Sequence, residues 1–153
     1  MIKILISHCL LGENCKWNGR NNARDLIIAL QDKVEFVPVC AEVWGGLPTP
    51  RIPSEIVGDK VLNEIGLDVT SNYKEGAEKV LKVALDNHVK FAIFKERSPS
   101  CGVHQVYNGK FERTATEGKG ICTRLLEEHG IKVYSDEEII DILKSLHQDK
   151  ENA

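Results

Sequence analysis

Three apolar, β-branched runs each hand over to a cysteine, and this constrains the chain more than anything else in it. IKILIS (residues 2–7) runs into His8 and Cys9, VEFVPV (34–39) into Cys40, and KFAIF (90–94) into the segment KERSPSC that ends at Cys101. Unbroken apolar runs of this length, as opposed to alternating ones, suit strands buried on both faces. A fourth run, IKVYS (131–135), has the same character.

The stretches between them read as helices. NARDLIIALQD (22–32) is one, with Asn21 or Asn22 as its cap. Residues 71–88 place Ala77, Val80, Leu81, Ala84 and Leu85 at helical spacing behind Ser71 as a cap. TEGKGICTRLLEEHG holds a third helix ending at Gly130, and 136–147 a last one, capped by Ser135 with Glu138 at the capping-box position. GGLPTPRIPSE is too rich in Gly and Pro for regular structure, and 55–69 holds short strands around Gly58-Asp59. QVYNGKFER reads as a hairpin about an Asn108-Gly109 turn.

This order predicts an α/β fold: a single three-layer α/β/α, Rossmann-like domain over residues 1–147, with a mainly parallel sheet and a small β-hairpin insertion. A disordered polar tail is expected at 148–153. Crossovers in such a sheet are right-handed and ligands collect beyond the carboxyl ends of its strands. Cys9, Cys40 and Cys101 are therefore expected to meet in one crevice.

Length and charge narrow the function. A chain of 153 residues suits one domain with a real core. Its net charge is −3 with lysines and arginines scattered, so no surface for a nucleic acid polymer is announced. No apolar run approaches the roughly 20 residues of a membrane span. The opening MIKILISHCLLG lacks a small-residue cleavage site and reads as a first strand, so a cytoplasmic protein is expected. Five cysteines are an odd number, which in a reducing compartment points to metal, catalysis or burial and away from disulfides.

Taken singly, each cysteine reads as a small buried hydrophobe. Three strand tips choosing the same residue read differently. Thiolates are soft ligands for zinc, copper(I) or an iron–sulfur cluster. Three of them suggest a 4Fe-4S cluster with one iron left open, or a catalytic zinc with three protein ligands. Cys15, on the same loop as Cys9, is a possible fourth thiolate or a bystander, and with Cys9 it would make a redox pair. Cys122 falls inside a helix and reads as core.

Other residues gather around the cysteines in the sequence. Glu42, in CAEVWGG, sits where a carboxylate can serve as general acid or base. Ser98 and Ser100 flank Pro99 before Cys101, where hydroxyls can donate to an anion or sulfur, or merely form a turn. Gly45, Gly46 and Gly102 fit close backbone approach to a ligand, and tight turns equally. Lys95, Arg97 and Arg51 are candidate cations for a bound substrate. No glycine-rich nucleotide fingerprint is present.

The segments ISHCLLGENCKWNG, PVCAEVWGGLPTPR, KERSPSCG and TEGKGICTRLLEEHGI together resemble the thiouracil desulfidases, a family first grouped as domain of unknown function 523, over about residues 3–146. At His8, Trp17, Asn18, Ala41 and Trp44 the chain departs from that pattern. The resemblance implies a 4Fe-4S cluster held by Cys9, Cys40 and Cys101, with a free iron that takes the sulfur of a thiocarbonyl and acts as a Lewis acid. It implies Glu42 as the catalytic carboxylate and a catalytic serine, Ser98 with Ser100 as alternate. The expected ligand is a small thiolated nucleobase or nucleotide, such as 2-thiouracil or a 4-thiouracil derivative. The competing expectation is a non-catalytic iron–sulfur or zinc protein that delivers sulfur or metal.

Overall fold

The computed structural model describes residues 1–152. In chain order it contains β1 (Lys3–Ser7), α1 (Asp25–Ile28), β2 (Glu35–Val39), α2 (Ala41–Trp44), β3 (Ser54–Val57), β4 (Lys60–Asn63) and α3 (Thr70–Asp86). There follow β5 (Phe91–Phe94), β6 (Gln105–Tyr107), β7 (Ala115–Glu117), α4 (Ile121–Glu128), β8 (Val133–Ser135) and α5 (Ile139–Asn152). Four strands form one sheet in the order β2-β1-β5-β8, every pairing parallel.

Both faces of that sheet are covered, as the unbroken apolar runs require. Leu5, Ala92, Phe94 and Val133 turn to the side where Ala77, Val80 and Ala84 of α3 meet Cys122 and Leu126 of α4. Ile4, Ile6, Phe91 and Ile93 turn to the other side, against Ile27, Leu30 and Ile142. Alternate residues of one strand thus fill two cores, giving the three-layer arrangement. Two antiparallel ribbons, β3–β4 and β6–β7, stand outside the sheet.

Several local expectations give way to tertiary contacts. The helix expected at 22–32 is only α1 followed by a 3-10 turn at Ala29–Asp32. Neither Asn21 nor Asn22 caps it: Asn21 bonds Asn14 and Ala23, while Asn22 turns its amide to Cys9. Ser71 lies within α3, because Thr70 starts the helix with its N–H donating to Asp68 Oδ1 and its hydroxyl oxygen accepting the Val61 N–H. Asn108-Gly109 does not close a two-residue turn. β6 and β7 pair from Tyr107↔Ala115, and Glu55 Oε1 holds the long loop between them through Gly109 N (2.9 Å) and Phe111 N (3.2 Å). At the C-terminus α5 runs on to Asn152, through most of the segment expected as a tail, since no proline or glycine stops it; residue 153 lies outside the described residues. The capping exchange at Ser135 does form, with Glu138 Oε1 accepting Ser135 N–H at 2.8 Å and Ser135 Oγ accepting Glu137 N–H.

Candidate active site

Sheet order brings the three cysteines together. β1 ends at Ser7 and turns at once into a 3-10 segment, His8–Leu11, that carries Cys9. β2 ends at Val39, and Cys40 follows in extended conformation as the entry to α2. Behind β5 the loop from Lys95 carries Cys101. Because β1 is hydrogen-bonded to both β2 and β5, these are three adjacent strand ends. Cys9, Cys40 and Cys101 line one cavity of about 540 Å³, shared with Cys15, Glu42, Arg51, Lys95, Ser98 and Ser100.

The Cys101 loop is sewn to the N-terminus of α4. Pro99 and Ser100 carbonyls accept the Ile121 and Cys122 N–H groups at 2.9 Å, and Thr123 Oγ1 donates to Cys101 O at 3.0 Å. Such close contact needs glycine: a Cβ on Gly120 would sit 2.5 Å from Ser100 O. The same holds behind Glu42, where α2 lies directly on α3 and a Cβ on Gly76 would meet Ala41 O at 1.8 Å.

Each ligand-type sulfur has a hydrogen-bond donor aimed at it. Asn22 Nδ2 donates to Cys9 Sγ at 3.4 Å and Ser100 Oγ lies 3.6 Å from Cys101 Sγ. The Cys15 thiol, and then the Val43 N–H and Arg51, bring Cys40 down to about 7 against burial and Glu42. Cys9 is also lowered, chiefly by the Cys15 thiol, with Asn22 and Lys95 adding to it. Burial pushes Cys101 up to about 12 in spite of Ser7 and Ser100. Hydrogen bonding with Cys40 first, then Cys9, raises Cys15.

Soft sulfur donors, each with a polar partner, in a largely buried cavity fit a 4Fe-4S cluster. Among the described residues no three His, Cys, Asp or Glu side chains converge on a single ion. A cluster does not require this, since each of its thiolates takes a different iron. The bound metal charge would also offset the burial that keeps Cys101 protonated.

Beside the thiols stands a buried carboxylate. Glu42 Oε1 accepts Arg51 Nε at 2.9 Å, the two side chains being 12% and 7% exposed. Glu42 Oε2 accepts the Ser100 hydroxyl at 2.8 Å and faces Ser98 Oγ at 3.3 Å. Ser98 Oγ also accepts the N–H groups of Ser100 (3.2 Å) and Cys101 (3.1 Å). With its lone pairs so engaged, its proton is left for Glu42 or for Ser100 Oγ at 2.9 Å. Tyr73, almost wholly buried, closes the far side; burial first, then Glu42, raises its phenol well above the ordinary value.

The remaining residues singled out in the sequence divide. Lys95 lines the cavity, its ammonium on Glu96 O at 3.2 Å. Arg51 binds Glu42, Thr49 Oγ1 and the carbonyls of Pro48 and Cys15, so it orients the carboxylate. Arg97 reaches the cavity wall, but its guanidinium pairs with Glu137 at 2.6 Å and with Gln105. Gly45, Gly46 and Gly102 do not line the cavity. Gly45 lets α2 approach Asn72 O, and Gly102 sits 2.4 Å, by its absent Cβ, from Gln105 O.

Sequence reasoning missed Glu96. Its Oε1 accepts the N–H groups of Val103 (2.7 Å), His104 (2.9 Å) and Gln105 (3.0 Å), bracing the segment just beyond Cys101. The one available signal was a charge directly after a buried strand.

Comparison with known proteins finds likeness over most of the chain. The 2-thiouracil desulfurase family matches residues 4–138. The uncharacterised protein YbbK of Bacillus subtilis strain 168 is 40% identical over 150 residues, covering 92% of this chain and 99% of YbbK. The solved structure of the 4Fe-4S-dependent thiouracil desulfidase TudS superposes with a TM-score of 0.91 at 40% identity, covering 97% of this chain and 99% of that one.

Proposed function

The chain belongs to the 2-thiouracil desulfurase family, and from that premise we propose that it removes sulfur from a thiolated pyrimidine, 2-thiouracil or a 4-thiouracil derivative, as a 4Fe-4S-dependent desulfidase. One observation carries the reading. The three strand-tip thiols and the hydrogen-bonded group Glu42, Ser100 and Ser98 face the same cavity.

Cys9, Cys40 and Cys101 would hold the cluster. Held by these three thiolates, it would supply Lewis-acid activation of a thiocarbonyl sulfur. The net reaction is hydrolytic: the oxygen of water replaces sulfur on the ring carbon, and its two protons leave with the sulfide. No electrons are consumed.

The protein's own groups manage the protons. Arg51 binds Glu42 Oε1, which fixes the carboxylate and leaves Oε2 as the basic atom. Glu42 Oε2 takes a proton from the attacking water and returns it to the departing sulfur. Ser100 and Ser98 hold that oxygen toward the cavity and extend the proton path along their own hydroxyls. Lys95 and the half-buried Trp17 and Phe111 line the walls that receive the base.

The partner is a small thiolated nucleobase or nucleotide and no nucleic acid polymer, handled by residues 1–147 as one domain. A cytoplasmic setting suits five free cysteines. No helix among the described residues is long and apolar enough to cross a membrane.

The test is anaerobic. Protein reconstituted with iron and sulfide, then desalted, is mixed with 2-thiouracil or 4-thiouracil and no electron donor. Stoichiometric sulfide and uracil are expected. A strict need for a reductant refutes the hydrolytic chemistry, and a fully loaded sample inert to every thio-base refutes the enzyme.

A further inference from the structure

We infer that Phe111 is a specificity-determining residue, its ring the face on which the pyrimidine of the substrate stacks, and that Glu55 is the residue that positions it. The inference rests on the desulfidase reading above and deepens it.

Backbone strain gathers at the cavity. Four non-glycine residues among those described have positive φ, and three of them, Arg97 (68°), Phe111 (55°) and Arg113 (54°), line it. Left-handed backbone disfavours a bulky side chain, whose Cβ meets the following carbonyl oxygen. Such a conformation persists only where the surroundings hold it, and residues of this kind cluster where ligands are gripped. Phe111 is half-buried and belongs to neither apolar core, so core packing does not account for its place.

Glu55 does the holding. It is 7% exposed, and burial of a carboxylate is costly unless hydrogen bonds offset it. Its Oε1 accepts the N–H groups of Gly109 and of Phe111 itself, at 2.9 and 3.2 Å. Asn108 N–H closes the loop on Thr114 O at 2.9 Å, and Asn108 Nδ2 donates to Glu112 Oε1 at 2.8 Å. Gly109 lies against β3, where a Cβ would come 2.7 Å from Ile56 O. The loop is thereby fastened to the strand whose Ser54 and Glu55 also line the cavity, with Phe111 at its wall. Stacking on an aromatic ring engages the face of a planar base and leaves its edges, the thiocarbonyl included, open to Glu42 and the serines.

Steady-state kinetics of anaerobic, cluster-loaded protein on 2-thiouracil reads this. Phe111→Ala is expected to raise KM about 10- to 100-fold with a much smaller change in kcat, and Phe111→Tyr to restore it. Glu55→Ala is expected to raise KM as well, although the ring is still present. Glu55→Gln, whose amide oxygen still accepts both N–H groups, is expected to stay close to wild type. Combining Glu55→Ala with Phe111→Ala is expected to add little to the larger single effect, because one residue acts through the other. Wild-type KM in Phe111→Ala, a kcat loss as large as its KM rise, or effects of the two substitutions that multiply in full overturns the inference. Should Glu55→Ala not fold, Gly109→Ala, which forces the loop off Ile56 O, takes its place in the cycle. A wild type that turns over no thio-base sinks the desulfidase reading, and calorimetric titration of the same proteins with 2-thiouracil then decides. Weaker binding by Phe111→Ala is expected there, and binding equal to wild type overturns the inference.

Discussion

Ser100 Oγ donates to Glu42 Oε2 across 2.8 Å, joining positions 58 apart in the chain. Glu42 rides on the short helix behind β2 and Ser100 on the loop behind β5, the two strands that flank β1. In the proposed chemistry Glu42 Oε2 is the atom through which a proton enters or leaves. Glu42→Gln keeps the shape and removes the base. Cluster content is expected to be unchanged, with turnover down roughly 10²–10⁴-fold. Anaerobic sulfide release, with iron assayed on the same sample, checks both halves.

The two serines separate. Ser98 Oγ accepts the Ser100 and Cys101 N–H groups, whereas Ser100 Oγ gives its one proton to Glu42 and lies 3.6 Å from Cys101 Sγ. Ser98→Ala is expected to slow turnover and also to loosen the cysteine loop, seen as faster cluster loss in air. Ser100→Ala is expected to slow turnover with less effect on that rate. Equal rates of cluster loss in the two variants would contradict the division.

Cys9, Cys40 and Cys101 each deliver a sulfur to the cavity, while Cys122 lies behind Cys101 in the apolar core, 1% exposed. Alanine at any of the first three is expected to abolish visible absorbance and bound iron. Cys122→Ala is expected to retain both, at a modest loss of melting temperature.

Glu96 gives a dependence on pH. Burial alone would raise its carboxyl, but the Gln105, His104 and Val103 N–H groups outweigh burial and hold it below the ordinary 4.5. A depressed carboxyl contributes stability above its unfolded value and loses it as pH falls through the folded one. The contribution is therefore complete at neutral pH and fades below about 4.5. Glu96→Gln is expected to flatten that acid limb in melting temperature against pH. Glu96→Ala, which strands at least the buried Val103 N–H, is expected to cost about 1–3 kcal/mol at pH 7.

Gly76→Ala drives a methyl into Ala41 O, 1.8 Å from the position its Cβ would take. Overpacking of this kind costs about 1–3 kcal/mol. Here it also displaces α2, so turnover is expected to fall together with melting temperature, without loss of the three thiols.

What the sequence determined by itself was the sheet and the placing of its thiols. An unbroken apolar run can be stable only with both faces covered, so four such runs separated by helical periodicity leave little choice but a parallel, three-layer fold. Parallel strands share one carboxyl edge, which is why Cys9, Cys40 and Cys101 were legible as a group before any coordinates. The tertiary structure decided who touches whom at that edge. Arg51 read as a cation for substrate and proved to be the clamp on Glu42. Asn22 read as a helix cap and proved to donate to Cys9, and Cys15 came to line the same cavity as Cys9 and Cys40. Glu96, invisible in the sequence, braces the backbone after Cys101. Periodicity reports which face of an element is buried, because burial of one face is a local property with a fixed repeat. Loops have no such repeat, and their side chains find partners only once the sheet has set the distance between its strand ends.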